Sequence, residues 1–600
     1  MKTVSFERVD LIGGYLYEKQ KLNRKTTIRA VYDRFLETGR FAAFDFNYKE
    51  GDAQKPHWFW DSDVAKWLEG AAYITRKHPS PDLEQIVDDT VAKIKAHQLE
   101  DGYFNIYHTV VEPEMRWRER HRHELYCAGH LMEAAVAYAE ATGKTEFLAC
   151  MERYADHIYK VFVEEKSANF RTPGHEDIEL ALVKLYRHTG KKKYLDLAAY
   201  FINTRGTVED GTHSNYAQAH KPVREQSVAQ GHAVRALYLY TGMAYLAAET
   251  GEQALIDVCR TLFDDVTARQ MYVTGATGST HRGEAFTQGF DLPNSTAYAE
   301  TCASIALMLF ASAMLNLGND AKYADTVERA LYNGVLSGLS QDGKSFFYEN
   351  PLEINLAERY MPRIGSKPHY PITERVECFD CSCCPPNITR LLATLGNYIY
   401  GVEGDTLFVN QFISSTLDFE GITCTQKTNY PHNGCIKLAV SGAKRVAVRI
   451  PAWCESFNLN KPYEMQNGYA VGENDGFEEI ILGLDVSPRL VWADPRVLRD
   501  VGKACVMRGP VVYCAEGIDN GEHLHSFLLP QNPTFEEGES ARFGLPTLKL
   551  ACERRVAFED GVLYHNCPPL LEGATLTLIP YNAFANRGES DMLVWLHVKA

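Results

Sequence analysis

The stretch "CFDCSCCPPN" places Cys378, Cys381, Cys383 and Cys384 within seven residues and follows the adjacent pair with Pro385 and Pro386. Thiols at this density suit metal binding or redox exchange. A redox pair of Cys378 with Cys381 calls for a thioredoxin-like βαβ setting, and the flanking residues read as helical. A self-contained zinc knuckle from all four is a second reading, although adjacent ligands depart from the usual spacing of two to four residues. A third is a composite site. In "NSTAYAETCASIALMLF", Glu300 and Cys302 open a strongly apolar helix. Glu300 alone would read as a carboxylate favoured by the helix dipole. With Cys302 two residues on, it joins Cys383 and Cys384 as three thiolates and a carboxylate, an acceptable tetrahedral Zn²⁺ set.

Other side chains fit around such a site. "CAGHLMEAA", "TPGHEDIELA" and "AQGHAVRAL" each place a histidine after a glycine near a helix start: His130, His175 and His232. One such histidine is a polar cap; three in register would converge on one end of a helical ring. Glu284 lies nearby in the Gly-rich "GSTHRGEAF".

A repeated helical hairpin is what must position these groups. Gly143, Gly190, Gly251 and Gly318, 47, 61 and 67 residues apart, each follow an apolar-periodic helix and precede another. Each suits the left-handed position just past a helix end. Adding "DSDVAKWLEGAAY" with "DLEQIVDDTVAKIKAHQ", and "PPNITRLLATLGNYIY" with "RKTTIRAVYDRFLETG", makes six pairs of a length typical of helical arrays. Six pairs close naturally into a toroid; an open solenoid is the alternative. Beyond about residue 400, runs such as "GCIKLAVSGAKRVAVRIPAWC" and "ACVMRGPVVYCAEGI" alternate as strands do. The expected division is a helical domain over 25–405, a β-sandwich over 406–500 and a second over 501–600, the last joined by N-terminal strand residues from 1–24.

The bulk numbers agree with a multidomain globular chain. Six hundred residues exceed one core, and 62 basic against 78 acidic residues give a net charge of −16, which argues against nucleic acid and anionic lipid as partners. The N-terminal residues carry no apolar h-region and no run of eighteen apolar residues occurs, so a cytoplasmic location is expected, with the fifteen cysteines reduced.

In this order along the chain, "DSDVAKWLE", "ELYCAGHLMEA", "GEAF", "YAETCAS", "ERALYNGVLSGLS", "FFYENPLE" and "CCPPNITR" resemble glycoside hydrolase family 127, the β-L-arabinofuranosidases, and the related family 146. The resemblance covers about residues 55–400. It implies an (α/α)6 barrel with β-sandwich domains and a retaining, non-reducing-terminal β-L-arabinofuranosidase with a zinc-bound cysteine nucleophile. Carried onto this chain, it makes Glu300, Cys302, Cys383 and Cys384 the Zn²⁺ ligands, Cys383 also the nucleophile and Glu284 the general acid/base. His130, His175, His232, Glu328 and Tyr348 would bind the sugar. Glu284 should then have a raised pKa, since an acid must hold its proton. Cys378 and Cys381 remain extra thiols near the metal. The partner is a glycoside or oligosaccharide, and the sequence allows a homodimer. The scaffold leaves room for another plant-glycan sugar in the same mechanism, for a sugar epimerase using two histidines, and for a zinc-stabilised carbohydrate-binding scaffold.

Overall fold

The computed structural model describes residues 1–361, 368–474, 476 and 479–599. Among these, twelve helices have nine or more residues: α1 (Ile28–Glu37), α2 (Trp60–Lys77), α3 (Pro81–His97), α4 (Glu124–Thr142), α5 (Glu146–Tyr159), α6 (Ile178–Thr189), α7 (Lys192–Thr204), α8 (Ala233–Thr250), α9 (Gln253–Asp265), α10 (Thr301–Leu315), α11 (Ala321–Arg329) and α12 (Cys384–Ala393). They alternate between two layers. The inner helices contact one another in the cycle α2, α4, α6, α8, α10, α12 and back to α2, while α3, α5, α7, α9 and α11 each pack on the inner helix before them and α1 lies on α2 and α12.

Composition decides which helix goes inside. Helix α10 is apolar nearly all round and buried nearly throughout, as a helix enclosed on every side must be. The outer helices are amphipathic; α11 buries Tyr323, Ala324 and Val327 and leaves Lys322, Asp325 and Arg329 partly open, while Glu328 is buried. Gly143, Gly190 and Gly251 take positive φ at the ends of α4, α6 and α8, and each N–H returns to the carbonyl four residues back. Gly318 does not follow the pattern: α10 ends through Asn316, which stays right-handed, so no left-handed residue is required. Gly129 serves close packing, since a Cβ there would stand 2.4 Å from Asp177 and 2.9 Å from the Ile178 backbone at the start of α6.

Most strands lie beyond residue 399, and among the described residues the strands form three sheets. Two sheets of six strands draw mainly on 400–484. In strand Cys435–Ser441, Ile436, Leu438 and Val440 are buried and their neighbours exposed, the alternation of a sheet with one face in the core. The third sheet has ten strands. Pairing is mostly antiparallel, but Thr406–Val409 runs parallel to Arg445–Arg449, and Phe527–Leu529 to Trp595–Val598.

The N-terminal residues depart from expectation. Lys2–Thr3 pairs with Tyr400–Glu403, and Val9–Leu11 with Ser415–Phe419, so they extend the two middle sheets and not the last one. The reason is anchoring: the Met1 amine donates to Asn319, the Thr3 amide to Asn316 and the Phe6 amide to Asn397, which fixes the segment across the helix ends beside Tyr400. The last sheet instead takes in Pro488–Val491 and, from the helical part, Glu353–Ile354. Ala600 lies outside the described residues.

A buried ionic clamp joins helices to sheets. The Glu328 carboxylate of α11 accepts from Arg449 Nη2 at 2.6 Å, Tyr430 Oη at 2.7 Å and Trp453 Nε1 at 2.9 Å. Removing one partner of a buried pair leaves an uncompensated charge. Glu328→Ala should therefore destabilise by about 3 kcal/mol, read as a lowered midpoint in thermal or urea unfolding; an unchanged midpoint would show the clamp to be idle.

Candidate active site and metal centre

Two helix starts create the centre. Glu300 is the extended residue before α10, makes no capping hydrogen bond with its side chain, and follows Ala299 at φ 43°. The carboxylate is thus free to turn away from the helix. Cys383 precedes α12, whose first turn holds Pro385 and Pro386; proline fits there because those N–H groups would be unpaired anyway. The loop and the turn together bring four donors into one volume.

Cys302 Sγ lies 3.3 Å from Cys384 Sγ and 3.6 Å from Cys383 Sγ, Cys383 and Cys384 are 3.8 Å apart, and Glu300 Oε1 is 3.8 Å from both of the latter. None is close enough for a disulfide, and all fifteen cysteines are free. A tetrahedral ion with bonds near 2.3 Å to sulfur spaces its ligands by roughly 3.8 Å, so the donor set fits one. The other oxygen, Glu300 Oε2, is buried with no hydrogen-bond partner among the described residues, a state that a bound cation would relieve. Hydrogen bonds from Cys302, Cys381 and Cys384 hold Cys383 well below the usual thiol range, while burial pushes Cys302 and Cys384 well above it.

Behind the sulfurs stands a polar relay. Asn387 Nδ2 donates to Cys302 Sγ at 3.2 Å, and Arg390 Nε donates to Asn387 Oδ1 at 2.7 Å, fixing which end of the amide faces sulfur. Arg390 is itself held by Glu69 at 2.7 Å, Glu133 at 2.9 Å and the Tyr238 hydroxyl at 3.2 Å. Lys66, fully buried on α2, donates to Tyr126 Oη at 2.6 Å and feels the charges of Cys383 and Cys302.

Tyr348 is in the site, its hydroxyl 3.5 Å from Cys383 Sγ. Glu284 sits at φ 52° beside Gly283 at φ 68°, a turn that aims its carboxylate inward. Tyr298 Oη donates to Oε1 at 2.6 Å, His232 Nε2 contacts Oε2, and ligand atoms of His232, Glu284 and Glu300 all lie within 4.8 Å of one another. Burial works to raise the Glu284 pKa, but hydrogen bonds from His232 and Tyr298 outweigh it, and the net shift is downward. The expected upward shift is not met, because these donors stabilise the carboxylate directly.

His175 joins the group, its ring centroid 5.5 Å from that of His232. His130 does not share their level. Helix α4 starts six residues before it, at Glu124, so His130 lies nearly two turns down, fully buried, 3.2 Å from Glu133 and 3.5 Å from Asp177. Glu328 is absent from the site altogether; its carboxylate is saturated by Arg449, Tyr430 and Trp453 on the sheet side, which corrects the expectation that it contacts sugar. Cys378 Sγ turns to Ser382 Oγ at 3.3 Å, outside the donor set, whereas Cys381 hydrogen-bonds Cys383.

Sequence reasoning passed over Tyr298, Lys66, Tyr126 and Asn387. Asn387 carried a readable signal, since four residues after Cys383 is the same helix face. Tyr298, Lys66 and Tyr126 carried none beyond lying inside the blocks "YAETCAS", "DSDVAKWLE" and "ELYCAGHLMEA".

Residues 8–397 match the family described as "Beta-L-arabinofuranosidase, GH127 catalytic domain", 406–473 its middle domain and 488–597 its C-terminal domain. A non-reducing end β-L-arabinofuranosidase of Bifidobacterium longum subsp. longum is 39% identical over 591 residues, covering 90% of this chain and 89% of its own. The crystal structure of a GH127 β-L-arabinofuranosidase from Geobacillus stearothermophilus T6 is 40% identical, with a TM-score of 0.90 over 98% of this chain and 100% of that one. A solved GH127 β-arabinofuranosidase at 34% identity has the same TM-score over 100% of this chain and 98% of its own.

Glu300→Ala and Cys384→Ser should bring bound metal, measured by plasma mass spectrometry on dialysed protein, from one equivalent toward none. Asn387→Leu should keep the metal but weaken its hold about 10-fold or more in chelator competition, the usual size of such support effects.

Proposed function

The chain belongs to glycoside hydrolase family 127, and from that membership we propose that it is a retaining exo-hydrolase that releases terminal β-L-arabinofuranosyl units, with Cys383 as nucleophile and Glu284 as general acid/base. Glu300, Cys302, Cys383 and Cys384 would hold Zn²⁺. We read the helical ring as an (α/α)6 barrel, the two six-stranded sheets as one β-sandwich, and the single ten-stranded sheet, entered near Pro488, as a further β domain in place of the second sandwich expected over 501–600. Fifteen unpaired cysteines suit a reducing compartment, hence the cytoplasm; no helix among the described residues is long and apolar enough to cross a membrane.

The observation that carries the mechanism is the asymmetry of the cluster. Cys302 is 2% exposed and Cys384 fully buried, whereas Cys383 is half-buried and faces Tyr348. Only one of the three sulfurs is presented to a substrate. A retaining glycosidase ordinarily uses two carboxylates; here the thiolate replaces one. Bound zinc would keep the thiols deprotonated at neutral pH.

Cys383 Sγ attacks the anomeric carbon as the C–O bond breaks, and the leaving oxygen takes the proton of Glu284. The resulting carboxylate then removes a proton from water, whose oxygen attacks the anomeric carbon. The C–S bond breaks, its electrons return to Cys383, and two inversions give retention. The resting hydrogen bonds from His232 and Tyr298 favour the carboxylate that the second step needs. For the first step Glu284 must be protonated, and a sugar hydroxyl that drew His232 away would remove part of what opposes this. Cys383 acting from a fixed position gains as much from placement as from activation.

A panel of nitrophenyl furanosides and pyranosides, with and without a zinc chelator under reducing conditions, tests the reading. Nitrophenyl β-L-arabinofuranoside should be cleaved, and chelation should stop it until zinc is restored; stoichiometric zinc with no release from any member would point to a binding scaffold. Cys383→Ser should abolish turnover and trap no glycosyl adduct by mass spectrometry. Glu284→Gln should lose about 10²–10⁴-fold in rate while retaining its zinc.

A further inference from the structure

We propose that a wall of rings just before the starts of α2 and α4, made by Trp58, His57, Phe59 and His123, is a second sugar subsite that holds the unit to which the terminal sugar is attached. The proposal rests on the hydrolase reading and adds to it where the rest of the substrate lies.

The wall is continuous with the site. From His232, which contacts Glu284, ring centroids step 5.5 Å to His175, 5.4 Å to His123, 6.2 Å to Phe59, 3.9 Å to His57 and 4.0 Å from His57 to Trp58. Exposure grows along this path. His232 and His175 are 3% and 8% exposed, whereas His123, Phe59, His57 and Trp58 are all partly open. An aromatic cluster serving only as core would be closed at both ends.

The hydrogen-bonding edges are those a polyol needs. His123 Nδ1 lies 2.8 Å from the His121 carbonyl and His175 Nδ1 lies 3.1 Å from that of Glu176. A carbonyl only accepts, so both rings carry their proton on Nδ1 and present a bare Nε2. Burial, with the Arg235 charge, holds both imidazoles well below their usual range, which keeps them neutral. Neither Nε2 has a hydrogen-bond partner among the described residues, and neither does the Trp58 indole N–H. Two acceptors and a donor therefore line a ring-faced wall, an arrangement of apolar surface with a few placed polar groups that is typical of ligand sites.

Two further features hold the wall ready. His123 adopts φ 61° as the residue before α4, a conformation that a non-glycine residue keeps only where its surroundings enforce it and that gathers at functional sites. The Arg122 guanidinium lies 4.6 Å from the Trp58 ring centroid and is itself 3.4 Å from Glu112, which fixes the indole face.

The test compares two substrates sharing the terminal unit: methyl β-L-arabinofuranoside, whose aglycone is too small to reach the wall, and an L-arabinofuranosyl disaccharide whose second sugar can. Trp58→Leu and His123→Asn, asparagine being tolerant of positive φ, should each lower kcat/KM on the disaccharide about tenfold more than on the methyl glycoside, chiefly through KM. Equal losses on both substrates, or none on either, would overturn the subsite. A wild-type protein inactive on both would overturn the hydrolase reading and the subsite with it. If His123→Asn does not fold, the partly exposed Trp58→Leu decides the comparison alone.

Discussion

Repulsion among three cysteine sulfurs and a carboxylate held 3.3 to 3.8 Å apart is the constraint around which the rest of the structure is arranged. Like charges so close cannot all ionise unaided in a low-dielectric interior. Hydrogen bonds from the neighbouring thiols hold Cys383 well below the usual thiol range, while burial pushes Cys302 and Cys384 well above it. The fold must hold the starts of α10 and α12 against this crowding.

Arg390 and Lys66 do much of that holding. Arg390 on α12 reaches Glu69 on α2 and Glu133 on α4, so the cation behind the sulfurs also ties three inner helices together. Buried ion pairs seldom add net stability over an apolar equivalent. Here the relay from Arg390 through Asn387 to Cys302 turns the same charge to a second use, fixing the buried side of the cluster. The ring of helices and the electrostatics of the centre are therefore one problem with one solution, and helix α12 cannot shift without moving Cys383, Cys384, Asn387 and Arg390 together.

Residue type and spacing revealed the parts of the site that are local in sequence. Glu300 with Cys302, and Cys383 with Cys384 before a double proline, are legible because donors that share one helix start lie within two residues of each other in sequence. The helical pairs were legible through their glycines, three of which are required by positive φ. What escaped depends on where helices start or on what lies across the chain. His130 looked equivalent to His175 and His232, yet α4 begins at Glu124 and carries it into the interior. Glu328 sits in a recognisable block, but its partners Tyr430, Arg449 and Trp453 are more than a hundred residues away. The N-terminal strands have no pattern that names their partner; three asparagines in distant loops and helix ends decide it.

Three sulfurs of like chemistry share the centre, and geometry is what makes them unequal. Cys384 is the first residue of α12 and is enclosed. Cys302 lies inside α10 and accepts from Asn387, which draws electron density away from a sulfur that no substrate can reach. Cys383 stands outside the helix, touched by Tyr348 and Cys381 but open on one face. On the proposed mechanism, the choice of Cys383 as nucleophile thus needs no intrinsic difference among thiols. It follows from a helix that begins at Cys384 and leaves the preceding residue outside it, partly open.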